Sequence, residues 1–310
     1  MMQLLIWFTV YVGIFLLGMF MMKSGLYSLS AQQLKQWLLR FTKTPLQGFL
    51  TGIVVTALLQ SSSAVMVITV GLVTTGYFTF RQSIGIILGS NIGSTITTEI
   101  ITLDLGKSII PMLLLGALLV FFVRHRFTLS VGMTIVGIAC LFFAMDGFRQ
   151  LAEPLSTYPV VNEWLRKTND SALLGIGIGT VLTSIIQSSA ATIGIAMSFL
   201  VEQLLTLPAG IAILLGANIG TCVTGLLASI GSSREAKLTA YTHLWFNVIG
   251  VTAFYFFIEP LASFTKTLSA APDVQLAHVS VLFNVICSVV ALPFTNWIEK
   301  AMLFLHQKDD

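Results

Sequence analysis

The chain contains one sequence unit twice. When residues 48–98 are aligned on residues 175–225 without a gap, 18 of 51 positions are identical. The identities fall on glycines, small residues and polar residues, including Gln-Ser-Ser at 60–62 and 187–189, rather than on interchangeable Leu and Ile. A duplicated lipid anchor would match only in hydrophobicity. The repeat therefore predicts two related structural units with the same polar architecture, which meet at a shared site.

The composition places these repeats in a lipid bilayer. Hydrophobic residues make up 55% of the chain, charged residues 9%, and the mean hydropathy is +0.91, whereas soluble domains carry about 25% charged residues. The apolar segment 1–22 lacks a basic start and a small-residue cleavage site, which predicts a retained first helix rather than a signal peptide. The three cysteines have no metal-ligand spacing. Basic residues lie in short loops, so a nucleic-acid partner is not expected.

Apolar segments of about 20 residues predict full membrane crossings. They are about 3–22, 80–103, 108–123, 129–149, 207–230, 237–258 and 276–300. Residues 28–43 alternate apolar and basic side chains, which predicts a separate amphipathic helix at the membrane surface.

The two Gln-Ser-Ser segments do not fit a simple crossing. A helix over residues 44–75 would be about 48 Å long, too long for a hydrocarbon core of about 30 Å, and its middle is polar. We therefore predict re-entrant hairpins at 44–75 and 171–203, whose irregular tips are buried in protein or line a cavity.

These elements predict an all-α polytopic membrane protein with two inverted-topology repeats, each containing a re-entrant helical hairpin and an interrupted transmembrane helix. The single transport domain spans 1–310, with repeat 1 at about 3–123, repeat 2 at about 129–258 and a C-terminal helix at about 276–300. Hairpins that return to their side of entry invert the second copy. The distribution of Lys and Arg then predicts an outside N-terminus and a cytoplasmic C-terminus.

A Gln followed by serines supplies hydroxyl, amide and freed backbone groups, which can bind an anion and a cation side by side. The alternative is that small polar residues merely join helices. Asn91 and Asn218 are flanked by glycines, which predicts local unwinding, with Ser94, Thr95 and Thr221 supplying oxygen. A packing role for these glycines is compatible with that interpretation.

Few ionisable residues are expected inside the membrane. Glu99 is the one clear intramembrane acid and is a candidate for binding a cation or proton, or it lies near the membrane surface. His243 and Asn247 are interpreted as buried polar packing residues or as support for the site. We expect no Lys or Arg at mid-depth, so a bound anion would need cations, in addition to helix dipoles of about half a charge each.

The duplicated Gln-Ser-Ser hairpins, each followed by Gly-x-Asn-Ile-Gly, together with a His-to-Phe-Asn segment, resemble the short bacterial form of the type II sodium-dependent phosphate cotransporter family. The resemblance implies Na⁺-coupled phosphate transport by inverted repeats, with Gln60, Ser61, Ser62, Ser63, Gln187, Ser188 and Ser189 as ligands at the hairpin tips. Ala190 departs from the family, which often has a third serine there, and Thr192 is an alternative source of a hydroxyl.

The residues by themselves indicate an ion-coupled carrier for an anionic or polar substrate. With the resemblance, the predicted phosphate ligands are Gln60, Ser61, Ser62, Gln187, Ser188, Ser189, Asn91 and Asn218. The predicted Na⁺ ligands are Ser62, Ser63, Ser94, Thr95, Ser189, Thr192 and Thr221. The predicted supporting residues are Thr56, Thr183, Glu99, His243 and Asn247.

The expected partners are inorganic phosphate, Na⁺ as coupling ion and the bacterial cytoplasmic membrane, with no other cofactor; a homo-oligomer stays open. One alternative is a transporter or passive effluxer of another anion. A second is an intramembrane serine hydrolase with His243 or His278 as base, although such an enzyme needs one nucleophile, not two in register.

Overall fold

The computed structural model describes residues 2–103, 105–122 and 125–307, and every regular element in these ranges is helical. The predicted all-α class is confirmed. The helices are α1 Met2–Arg40, α2 Pro45–Leu59, α3 Ser62–Thr74, α4 Phe80–Ile100, α5 Ile109–Phe122, α6 Arg126–Ser156, α7 Pro159–Asp170, α8 Ala172–Ile186, α9 Ser189–Val201, α10 Leu207–Ala228, α11 Arg234–Tyr255, α12 Ile258–Leu268, α13 Pro272–Ala291 and α14 Thr295–Leu305. The residue predicted to end the first repeat, 123, lies outside the described ranges.

Several helices are long and apolar enough to cross a bilayer. Within the described ranges there are four such spans, and two bent helix pairs raise the number to six. The bent pairs are α7 with α8, at 118°, and α11 with α12, at 82°. The other four spans are Met2–Ser30, Arg126–Ser156, Leu207–Ala228 and Pro272–Leu305. The chain is therefore a multi-pass membrane protein.

Both Gln-Ser-Ser sequences interrupt a helix at the same place. Gln60 ends α2 in the left-handed conformation (φ 52°, ψ 32°), and Gln187 ends α8 in the same way (φ 58°, ψ 27°). The next residue, Ser61 or Ser188, is extended, and a new helix begins directly after it. The repeat thus specifies a backbone break, as predicted.

A hydrogen bond across the second break demonstrates a hairpin. The Thr183 hydroxyl lies 2.8 Å from the Thr192 hydroxyl, although residues nine positions apart in one straight helix would be separated by about 14 Å. The arms α8 and α9 therefore fold back beside each other at their tip. Side-chain caps lie at equivalent positions in the two copies: Thr44 and Ser171 start the first arms, and Thr79 and Thr206 start α4 and α10.

The first arm of each hairpin packs closely on the next long helix of its repeat. A Cβ on Gly89 of α4 would lie 2.0 Å from the Phe49 carbonyl oxygen of α2, and a Cβ on Gly216 of α10 would lie 2.0 Å from the Ile176 carbonyl oxygen of α8. Any larger residue would separate these helices. The glycines therefore allow backbone-to-backbone packing.

The unwinding predicted at Asn91 and Asn218 does not occur, because α4 and α10 continue through both residues. Polar side chains there bond to their own helix instead. The Ser94 hydroxyl donates to the Asn91 carbonyl oxygen at 2.7 Å, and the Asn218 amide donates to the Leu214 carbonyl oxygen at 2.9 Å. Internal hydrogen bonding and glycine packing account for the motif without a break.

Two predicted helix boundaries are corrected. The first crossing and the surface helix expected at 28–43 form one continuous helix, α1, in which Gly25 packs against α6 instead of ending the helix. The predicted C-terminal helix 276–300 is divided between α13 and α14 by a 3₁₀ turn at Leu292–Phe294, where Pro293 cannot donate a backbone hydrogen bond.

Candidate functional site

The two hairpin tips meet at one small polar cavity of about 30 Å³. Both Gln-Ser-Ser sequences line it, as do residues of α1 and α4. A cavity of this size holds little more than a water molecule. The lining residues are Met19, Lys23, Gln60, Ser61, Ser62, Ser63, Ser94, Thr97, Thr98, Gln187, Ser188, Ser189 and Ala190.

Two helix N-termini lie at this cavity, because the first residues of α3 and of α9 line it. Ser61 caps α3 by accepting from the Ala64 N–H at 3.2 Å, and Ser188 caps α9 by accepting from the Ala191 N–H at 3.3 Å. The other N–H groups of each first turn have no acceptor within their helix. Each N-terminus also carries about half a positive charge. The arrangement is suited to an anion bound between the tips.

The glutamine side chains stabilise the breaks. The Gln60 amide nitrogen donates to the Ala57 carbonyl oxygen at 2.5 Å, and its oxygen accepts from the Thr97 hydroxyl at 2.8 Å. Gln187 forms the same bonds with the Ser184 carbonyl oxygen, at 2.5 Å, and the Thr224 hydroxyl, at 2.6 Å. Each glutamine therefore connects its tip to the following long helix.

The serines at the start of α3 and α9 are in a different position. Ser62, Ser63 and Ser189 line the cavity, and none of their hydroxyls has a hydrogen-bond partner among the described residues. These three hydroxyls are the groups available to donate to a ligand. Ser94 and Thr98 of α4 line the same cavity, but their hydroxyls donate to the carbonyl oxygens of Asn91 and Thr95, so they can offer a ligand only an oxygen lone pair.

The two hairpins differ behind their tips. In the second, the hydroxyls of Thr183 and Thr192 bond to each other. In the first, Thr56 occupies the position of Thr183, but Val65 replaces Thr192, and the buried Thr56 hydroxyl has no partner in the described structure. Thr192 does not line the cavity. It pairs the two arms rather than facing the tips.

This difference predicts reciprocal effects on stability. Thr192→Val should lower the unfolding temperature by removing a buried hydrogen bond and leaving Thr183 unsatisfied, at a cost of about 1–3 kcal/mol. Val65→Thr should raise it by giving Thr56 a partner. Thermal unfolding of both variants in detergent measures the effect. A stable Thr192→Val protein together with a destabilised Val65→Thr protein would contradict the pairing.

Several predicted ligands lie away from the cavity. The Asn91 side-chain oxygen is 3.3 Å from His243 Nε2, and the Asn247 amide donates to the His243 carbonyl oxygen at 2.9 Å. The hydroxyls of Thr95 and Thr221 donate to carbonyl oxygens of their own helices. None of these five residues, nor Asn218, lines the cavity. They form polar packing between α4, α10 and α11.

Glu99 is also outside the cavity lining. One of its carboxylate oxygens lies 3.0 Å from His278 Nδ1, and both side chains are about one-third exposed, at 34% and 33%. This pair connects α4 to α13.

Sequence reasoning missed four cavity residues: Met19, Lys23, Thr97 and Thr98. Thr97 had a signal, because it coincides with Thr224 in the repeat alignment. Lys23 contradicts the expectation of a site without Lys or Arg. It follows an apolar run and therefore looks like the end of a crossing, but α1 continues for 17 residues beyond it.

Comparison with known proteins identifies the family of this chain. The Na⁺/Pi-cotransporter family matches residues 14–150 and 156–271. "Uncharacterized protein YqeW" of Bacillus subtilis is 43% identical over 95% of this chain and 96% of its own length. No solved structure matches.

More distant relatives have names that refer to phosphate. "Putative inorganic phosphate export protein YjbB" of Salmonella typhimurium is 23% identical over 92% of this chain, which spans 52% of that relative. Human "Sodium-dependent phosphate transport protein 2B" is 36% identical over 26% of this chain and 12% of its own length. The family match covers both repeats and both hairpin tips, and the chain therefore belongs to the Na⁺/Pi-cotransporter family.

Proposed function

We propose that this protein is a secondary active transporter that carries inorganic phosphate together with Na⁺ across the cytoplasmic membrane. The observation that supports this most directly is the meeting of two helix N-termini and three unpartnered serine hydroxyls at one cavity. Phosphate would accept from the first-turn N–H groups and from Ser62 and Ser189. Membership of the family supplies the substrate class.

The charge of the site supports a role for Na⁺. Divalent phosphate carries two negative charges, and Lys23 is the only full positive charge in the described cavity lining. The two helix ends attract the anion with about half a charge each, but a dipole carries no net charge, so phosphate with Lys23 still has one net negative charge. A site inside a membrane favours neutralisation of this charge by a bound cation. Hydroxyl oxygens of Ser63, Ser94 and Thr98 are hard donors that suit Na⁺.

The transport geometry extends this proposal. Two repeats of inverted topology, with the N-terminus outside and the C-terminus in the cytoplasm, would place the two tips at mid-membrane from opposite sides. The relatives' names include both export and sodium-dependent transport. A passive effluxer of another anion is the second candidate, and Na⁺ dependence separates it from a symporter.

The chain belongs to a transporter family, not an enzyme family. The described cavity lining contains no His, Asp or Glu. His243 and His278 bond elsewhere, to Asn91 and Glu99. The serines therefore have no His or carboxylate base beside them, which disfavours a hydrolase with His243 or His278 as base.

Purified protein in liposomes should accumulate labelled phosphate when an inward Na⁺ gradient is imposed, and much less when choline or K⁺ replaces Na⁺. The physical reason is that Lys23 neutralises one of the two charges of divalent phosphate, whereas the helix dipoles carry no net charge, so one net negative charge is left for Na⁺. Ionophore collapse of the Na⁺ gradient is the control. Equal phosphate flux in choline and in Na⁺ would show that transport is not coupled to Na⁺. If Na⁺ drives the flux of a different oxyanion and not of phosphate, that oxyanion is the substrate and Na⁺ coupling stands.

A further inference from the structure

Lys23 is the one ionisable side chain among the residues that line the described cavity. It lies within the apolar span Met2–Ser30 of α1 and is partly buried. Its ammonium group has no hydrogen bond or ion pair with any described residue, and the nearby acid of α4, Glu99, pairs with His278 instead. A cation at this depth is costly unless a negative charge accompanies it.

The packing of α1 fixes the direction of this side chain. A Cβ on Gly18 would lie 2.7 Å from the Gly137 carbonyl oxygen of α6, and a Cβ on Gly25 would lie 2.5 Å from the Ser130 carbonyl oxygen. These two glycines share one face of α1, and Lys23 lies about 140° around the helix from Gly18. Met19, one turn before Lys23, lines the same cavity. The helix is therefore seated on α6 by one face and directs Lys23 at the tips by another.

The tips surround Lys23 with groups that also favour an anion. The N-termini of α3 and α9 lie at the same cavity, and α1 packs against both α2 and α9. Three positive partners, two helix ends and one ammonium, thus converge without an acidic residue in the described lining. Such a set repels Na⁺ until an anion is bound.

We propose that Lys23 is the cation of the binding cavity, which contacts the bound oxyanion and replaces one of the Na⁺ ions that a neutral residue at this position would require. This inference rests on the proposed transport of phosphate. The flexible four-carbon stem lets the ammonium follow the anion, as a point charge with three donors. The number of coupled Na⁺ ions is thereby reduced.

The test compares Lys23→Met, which keeps the length of the side chain without its charge, with Lys23→Arg, which keeps the charge. Lys107→Met, at an exposed position outside the cavity, is the matched control. The unfolding temperature in detergent is measured while one of three additions is titrated: phosphate in choline buffer, Na⁺ without phosphate, or phosphate and Na⁺ together. Lys23→Gln replaces Lys23→Met if the latter does not fold.

Lys23→Met should weaken phosphate binding in choline by about tenfold or more, the effect expected when a charged partner is removed. It should strengthen Na⁺ binding in the absence of phosphate, because a like charge has been removed. The number of Na⁺ ions that bind with each phosphate, given by the slope of phosphate affinity against Na⁺ concentration, should rise by about one. Lys23→Arg and Lys107→Met should behave as the unsubstituted protein does.

If Lys23→Met leaves the phosphate affinity, the Na⁺ affinity and the number of bound Na⁺ ions unchanged, the proposed role of Lys23 is wrong, although phosphate transport still stands. A failure of the proposed substrate would give a different result. If the unsubstituted protein neither binds nor transports phosphate, yet Lys23→Met binds Na⁺ more tightly, the proposed substrate falls and the cation at this position is upheld.

Discussion

Replacing Ser62 and Ser189 together with alanine should reduce phosphate transport by about 100-fold or more, because each lost hydroxyl removes a hydrogen bond to a buried charge worth about 1–3 kcal/mol. The fold should be preserved. Neither hydroxyl has a partner within the described protein, so no native donor or acceptor is left unsatisfied by its removal. The single substitutions should each give a smaller loss of the same kind.

Transport in liposomes and thermal unfolding in detergent, measured on the same preparations, separate the two effects. Ser198→Ala is the matched control, because this serine lies buried on α9 but outside the cavity and donates to the Gly194 carbonyl oxygen at 3.0 Å. It should change stability slightly and transport little. Unchanged transport kinetics in the Ser62, Ser189 double variant would return both serines to a packing role.

Gly179→Ala should prevent normal folding, whereas Gly177→Ala, two residues earlier in α8, should be tolerated. A Cβ on Gly179 would lie 2.0 Å from the Ile213 carbonyl oxygen of α10, but a Cβ on Gly177 would meet nothing within 4 Å. Separating two backbones should cost about 3 kcal/mol, the upper end of the usual cost of overpacking. At the exposed Gly177 the better helix propensity of alanine applies, about 0.5–1 kcal/mol.

The yield of monodisperse protein and its unfolding temperature measure this contrast. Because the helix, residue type and substitution are the same, membrane insertion and helix propensity affect both variants equally. Equal stability of the two proteins would show that close contact of α8 with α10 is not required.

The parts of the structure that depend on local backbone chemistry were predictable from the sequence. The two breaks are indicated by Gln-Ser-Ser sequences at equivalent positions of the two copies. The helix starts are indicated by residues whose side-chain oxygens can cap a helix, namely Thr44, Ser171, Thr79 and Thr206. Both tips line one cavity, as two copies of one polar pattern predict.

Features that depend on tertiary packing were not predictable. Glycine beside Asn91 suggested unwinding, but the same residue allows close packing of straight helices, and only the position of Phe49 decides between them. The bond between Asn91 and His243 joins segments 152 residues apart. Lys23 resembles the end of a membrane crossing, because no neighbouring residue in the sequence shows that α1 continues past it. The neighbouring sequence also does not show that the Lys23 ammonium group faces the cavity.

The hairpin arms have different neighbours, which has a mechanical consequence. The first arms, α2 and α8, are joined to α4 and α10 by backbone contact, so each pair moves as one body. The second arms contact both their own body and other helices: α3 packs against α4 and also against α10 and α11, and α9 packs against α10 and also against α6 and α13. Rotation of one body relative to a second arm that stays with its other neighbours would change the dihedral angles of Gln60 or Gln187. The binding cavity lies at the joints themselves, so occupancy by substrate and the angle between the bodies are controlled by the same few backbone bonds.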